Sequence, residues 1–188
     1  MPKILKTNWF WMVFAVLTIA FSFTIFSNWT LMICIWFGLF FGFRLAKLES
    51  QLWDKEHQIY LATVLIYPVV ASAIKWAIVK EIVPYSWFLL NRIEHFIWAV
   101  AVAIIFLPTY TNFWKKLRWW QSLTYIIGLV CLLGNLNEFF EYLIRLKMFG
   151  IAGIERNTAY YWDTIYDQAI NLIGGLVGFI LLKWYGKK

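Results

Sequence analysis

The segment WWQSLTYIIGLVCLLGNLNEFFEYL, Trp119–Leu143, decides the fold class. It is apolar for about the 20 residues that a helix needs to cross a hydrocarbon layer roughly 30 Å thick. Yet it places Glu138 and Glu141 close to its far end. Runs of the same kind recur along nearly the whole chain. Of the 188 residues, 62% are hydrophobic, 21% are aromatic and only 14% are charged. An ordinary soluble domain carries roughly one quarter charged residues. Only short loops remain between the runs, which excludes a sizeable soluble domain. The sequence therefore predicts an all-α, polytopic transmembrane helix bundle, with residues 1–188 as a single domain.

About six spans are predicted: Trp9 to Phe26, Trp29 to Ala46, Ile59 to Val79, Pro84 to Leu107, Trp119 to Leu143 and Tyr161 to Trp184. Ser27 and Asn28 make the first two a tight hairpin. Lys3 and Lys6 ahead of an apolar run have the order of a signal peptide. A small-residue cleavage site is missing, and a second run follows at once, so a retained first span is expected. Between the second and third spans, RLAKLESQLWDKEH mixes both signs of charge with Leu45, Leu48, Leu52 and Trp53. This pattern suggests an amphipathic extension at the interface, with a plain polar loop as the alternative.

The net charge is +7, but the basic residues sit at the ends of apolar runs and form no polar face, so nucleic acid is not an expected partner. Lys3, Lys6, Arg44, Lys47, Lys55, Lys115, Lys116, Arg118, Lys183, Lys187 and Lys188 fall on one side of the six-span arrangement, and Lys80, Arg145, Lys147 and Arg156 on the other. The positive-inside rule then makes both termini cytoplasmic. Trp119, Trp120 and Trp184 are expected in the inner aromatic belt, and Trp29, Trp87 and Trp162 in the outer one.

A rise of about 1.5 Å per residue assigns depth to the polar residues. Glu138 lies about 28 Å along the fifth span, and Asp163, Asp167 and Asn171 lie about 3, 9 and 15 Å down the sixth. Asn91, Arg92, Glu94 and His95 enter with the fourth span, and Lys75 ends the third at a similar level. Four spans thus carry ionisable groups to one layer, the extracytoplasmic half of the bilayer. Asp163, Asp167 and Asn171 follow a four-residue spacing that continues into Gly174 and Gly178, so this stripe is expected to face protein. Asn135, Glu138 and Glu141 are expected to share a second face, and Asn91 and His95 a third.

A charge near mid-membrane costs on the order of 2.5–3.5 kcal/mol, so the acids must be neutralised. Three routes are open: ion pairs with Lys75 and Arg92, protonation, or a bound divalent cation. Glu138, Glu141, Asp163, Asp167 and His95 offer oxygen donors and one imidazole, a set suited to magnesium, manganese, calcium or zinc, and are the candidate metal ligands and catalytic groups. Arg92, Asn91, Asn171, Lys75 and Arg156 are the candidate substrate-binding residues. The spacing is neither the Glu-x-x-His pair of di-iron bundles nor an H-E-x-x-H helix. His57 is placed in a charged loop, Pro68 is expected to kink the third span near Lys75, and Cys34 and Cys131 are read as core residues. The Asn28, Trp29, Thr30 triplet matches a glycosylation acceptor only formally, because the turn lies hard against the membrane.

NRIEHF (Asn91–Phe96), NEFFEYL (Asn137–Leu143) and YWDTIYDQAINLIGGLVG (Tyr161–Gly178) resemble, in order and spacing, motifs of the YjdF-type and VanZ-like bacterial membrane proteins. The resemblance covers about residues 89–182. It runs through Arg92 and His95, Glu138 and Glu141, Arg156, then Asp163, Asp167, Asn171 and Gly174. Glu141 stands where VanZ-like members carry Gln and is closer to the YjdF-type. The VanZ-like resemblance implies an accessory part in glycopeptide resistance and a bacterial plasma-membrane location, and names no substrate. Three functions follow as expectations: a metal-dependent enzyme acting on a lipid or lipid-linked envelope intermediate, a proton- or ion-coupled carrier of a small envelope precursor, or a non-catalytic accessory protein. Membrane lipid is the expected partner in each, and no oligomeric state is implied.

Overall fold

The alanine-rich half of the fourth span sets the centre of the molecule. In the computed structural model, which describes residues 7–25, 27–82, 87–155 and 158–185, the most apolar 18-residue stretch within Leu89–Asn112 has 67% of its residues buried, against 22% for those within Asn8–Ile25 and Trp119–Lys147. Ala99, Ala101 and Ala103 are buried there, and the small side chains of Ala99 and Ala103 let the last helix pack close. Lys3, Lys6, Arg156, Lys187 and Lys188, together with Phe26 and Pro84 at the ends of predicted spans, lie outside the described residues.

The helices are α1 (Asn8–Ile25), α2 (Ser27–Leu45), α3 (Asp54–Val79), α4 (Trp87–Ile105), the short α5 (Leu107–Asn112), α6 (Trp119–Glu155) and α7 (Thr158–Tyr185). Among the described residues there is no strand. Five helical stretches are long and apolar enough to cross a membrane, and Trp29–Leu45 is a shorter apolar helix. The chain is thus an all-helical protein of the multi-pass membrane type, as its composition requires.

The most extensive pairing joins α4 to α7, followed by α6 to α7 and α3 to α4. Gly174 and Gly178 make the first possible. A Cβ on Gly174 would come within 2.6 Å of the Ala99 Cβ and 2.9 Å of the Phe96 carbonyl oxygen, and one on Gly178 would collide with Ala103. The stripe Asp163, Asp167, Asn171, Gly174 and Gly178 is buried throughout. On the other side, α1 and α2 form an aromatic unit around Trp11, Phe37 and Phe40, with the Trp36 ring tilted against Tyr67 of α3, centroids 4.4 Å apart.

Several details differ from the sequence reading. Helix α6 runs past Leu143 to Glu155, and Gly150, at φ 69°, breaks its regular course near the end. The charged connector is no continuous amphipathic helix. Lys47 leaves α2 in the left-handed conformation, a 3-10 turn spans Leu48–Gln51, and α3 begins at Asp54 with Glu56 accepting the Trp53 backbone N–H at 3.1 Å. His57 therefore lies in the first turn of α3, half-buried. Burial of Glu49 against Arg44 at 3.3 Å is what the mixed charges there achieve. Trp29 is not in an outer belt: it is 2% exposed and packs on Tyr67. Cys34 faces outward, where a core position was expected, whereas Cys131 is partly buried. Pro68 is buried inside a single continuous α3.

Candidate functional site

Because α4 and α7 touch along small residues, the polar residues one or two turns away are pressed together. Arg92 is the first organiser. One guanidinium nitrogen donates to Asp163 Oδ1 at 2.7 Å, and the other bonds Asp167 Oδ1. Asn91 Nδ2 donates to the same Asp167 carboxylate at 3.4 and 3.5 Å, and Lys75 Nζ reaches Asn91 Oδ1 at 3.5 Å. Tyr166 lies with its ring 5.4 Å from the Arg92 guanidinium carbon.

Lys75 makes the second junction. Its ammonium lies 3.3 Å from Glu94 Oε2 and 6.0 Å from the Trp29 ring, so a buried lysine is held by one carboxylate and one aromatic face. His95 Nε2 stands 3.9 Å from that Glu94 oxygen and 3.5 Å from Asp167 Oδ2, and faces Asn171. Asn171 is fully buried, and its amide packs against the backbone of Gly134. Neither end of that amide has a partner in ordinary hydrogen-bond geometry.

Helix α6 contributes the third group. Glu138 Oε2 accepts a hydrogen bond from Thr164 Oγ1 at 2.9 Å, while Oε1 is buried with no hydrogen-bond partner. Glu141 is paired with Arg145 one turn later, and Arg145 also reaches Asp163 Oδ2 at 3.3 Å. A small chamber of about 10 Å³, room for one water, adjoins these groups and is lined by Trp29, Met32, Lys75, Glu94, His95, Trp98, Gly134 and Asn137.

Of the five residues named as metal ligands, the fold brings His95, Glu138 and Asp167 together, with one ligand atom of each within 4.8 Å of the others. Asp163 and Glu141 are instead held by arginines. Asn91, Arg92, Lys75 and Asn171 of the substrate-binding set border the same cluster, and Arg156 lies outside the described residues. Glu94 is thus paired with Lys75, Asp163 and Asp167 with Arg92, and Glu141 and Asp163 with Arg145.

Sequence reasoning placed Glu94 in the polar layer without giving it a site role, and it missed Asn137, Thr164 and Arg145 as members of the site. For Arg145 a signal existed, because Asn137, Glu141 and Arg145 follow a four-residue spacing. Asn135, assigned to that face, is exposed. No protein-family model, curated protein or solved structure matches this chain, so its functional reading is carried by the geometry of the buried cluster.

Proposed function

We propose that the chain is a membrane-embedded enzyme that holds one divalent cation at His95, Glu138 and Asp167 and acts on a lipid or lipid-linked intermediate of the cell envelope, from the outer-leaflet side. The observation that carries this reading is the buried Glu138 oxygen. It has no partner, and it belongs to a triad whose ligand atoms converge within 4.8 Å. A carboxylate oxygen stripped of water is costly unless a cation or proton meets it. One imidazole with two carboxylates suits zinc or manganese better than calcium or magnesium. Such an ion supplies Lewis acidity toward a carbonyl or phosphoryl oxygen and lowers the pKa of bound water.

The chain's own groups then divide the remaining work. Arg92 and Asn91 fix the Asp167 carboxylate, Thr164 orients Glu138, and the Lys75–Glu94 pair borders the water-sized chamber beside His95. The carrier reading has less support. Past Asn171 the α4–α7 seam consists of Gly174 on Ala99 and Gly178 on Ala103, which leaves no polar conduit along that seam. The similarity to YjdF-type and VanZ-like motifs fits an envelope role without specifying the chemistry.

The test is metal analysis of detergent-purified protein after dialysis against zinc or manganese, with lipid extracts incubated with and without chelator and followed by mass spectrometry. One bound ion per chain, lost in His95→Ala and Glu138→Gln, together with a chelator-sensitive change in a lipid species, is the expected result. Protein that binds no ion and alters no lipid sinks the proposal.

A further inference from the structure

We infer that Arg92 and Arg145 form a binding site for the phosphate of a lipid headgroup, and that Asp163 occupies this site from within until the anion displaces it. The inference rests on the enzyme reading and names the group its substrate carries.

Two guanidiniums from different helices close on the two oxygens of one carboxylate: Arg92 on Oδ1 at 2.7 Å and Arg145 on Oδ2 at 3.3 Å. Each arginine gives Asp163 one nitrogen, Arg92 holding Asp167 with its other and Arg145 holding Glu141 with the same Nη2, and a phosphate oxygen can take the place of a carboxylate oxygen in such charge-assisted bonds. The bridge is also the more open end of the network. The side chains of Arg145 and Glu141 are 19% and 17% exposed, and that of Asp167 is 1% exposed. Tyr166, whose ring lies under the Arg92 guanidinium, is about half exposed. An anion arriving at Arg145 therefore meets the network before it meets the triad.

Depth points to the source of the anion. Arg145 lies about 39 Å along α6 from Trp119, past a hydrocarbon layer of about 30 Å and level with the headgroups. A phosphate exchanged for Asp163 there is one bond removed from the triad, because Arg92 links Asp163 to Asp167.

The role given to Asp163 makes the test directional. Binding of dihexanoyl phosphatidic acid and of inorganic phosphate is measured calorimetrically on detergent-purified full-length protein, with metal content read on the same samples. Asp163→Asn removes the competing charge and is expected to bind the phosphatidate about tenfold tighter, whereas Arg145→Gln binds it at least about tenfold more weakly and keeps its metal. Arg145→Lys, which retains charge but not the planar set of donors able to serve Glu141 and a phosphate together, is expected to lose several-fold and keeps the question answerable should Asp163→Asn not fold. Phosphatidate that inorganic phosphate does not displace identifies a lipid headgroup as the ligand, and mutual displacement identifies a soluble phosphoryl group. Equal or weaker binding to a folded Asp163→Asn, unchanged binding to Arg145→Lys, or binding of neither anion overturns the inference. Metal retained without anion binding removes this site alone, and anion binding without metal removes the enzyme reading alone.

Discussion

Glu138 and Asp167 belong to one cluster and are expected to respond oppositely to substitution. Glu138 has one oxygen satisfied by Thr164 and one buried without a partner, so its ionised form burdens the metal-free protein. Glu138→Gln is expected to stabilise chelator-treated protein by about 1 kcal/mol, the scale of an unsatisfied buried group. It should also weaken zinc or manganese binding by at least the roughly 10- to 100-fold lost when metal-site support is removed. Thermal melting with and without metal checks both halves. Asp167 instead neutralises Arg92 and accepts from Asn91. Asp167→Ala removes one of the two carboxylates on the buried Arg92 guanidinium, leaving Asp163, and is expected to cost about 1.5–3 kcal/mol, with Asp167→Asn losing less because it still accepts from Arg92. Equal melting temperatures for the two Asp167 variants would contradict this account.

At the level of the helices, the site exists because α7 lies against α4 along Gly174 and Gly178. Gly174→Leu forces the helices apart at the Phe96 carbonyl and Ala99. It is expected to cost about 1–3 kcal/mol by overpacking and to abolish metal binding with every ligand still present. Gly128, in the middle of α6, has open space where a Cβ would go. Gly128→Ala should be neutral or stabilise by up to about 1 kcal/mol, and circular dichroism melts of the two variants separate close approach from helix propensity. The connector carries a different signal. Burial raises the Glu49 carboxyl above its ordinary value of 4.5, with Arg44 only partly opposing it. The folded state then keeps this proton to a higher pH than the unfolded chain. Its contribution to stability is greatest below about pH 4.5 and falls as pH rises through the raised value. Glu49→Gln should flatten that part of the pH–melting profile, and a slope identical to wild type would show that Glu49 does not produce it.

For the whole molecule, the segregation of basic residues gives an orientation that can be tested. Lys115, Lys116 and Arg118 lie between α5 and α6, at the opposite end of α6 from Arg145 and Lys147. If this end and both termini face the cytoplasm, a green fluorescent protein fused after Lys188 fluoresces, and alkaline phosphatase at the same point is inactive. The reverse pattern would place the polar cluster on the cytoplasmic side and remove the outer-leaflet part of the proposal.

Much of this architecture is legible in the chain because bilayer physics acts on sequence directly. Apolar length fixes the spans, and spacing of three or four residues puts Asp163, Asp167, Asn171, Gly174 and Gly178 on one buried stripe. The pairing of Arg145 with Glu141 was written in their spacing as well, although the position of Arg145 near a span end reads first as a topology signal. Partner choice between helices was not legible. Nothing local in Trp29 says that it closes over Lys75, nor in Glu94 that it takes that lysine and leaves Glu138 with a bare oxygen.

The sequence by itself determined a helical membrane protein and a layer of acids too costly to leave unneutralised, since hydrophobic length and charge burial are sums over residues. Which acids meet arginine and which meet each other was decided only by the tertiary structure. Rotation and register of α4 and α7 depend on the close contact of Gly174 and Gly178 with Ala99 and Ala103, and those of α6 and α7 on Gly134 against Asn171 and Gly175 against Ile127 and Val130, properties of paired surfaces that no single helix contains.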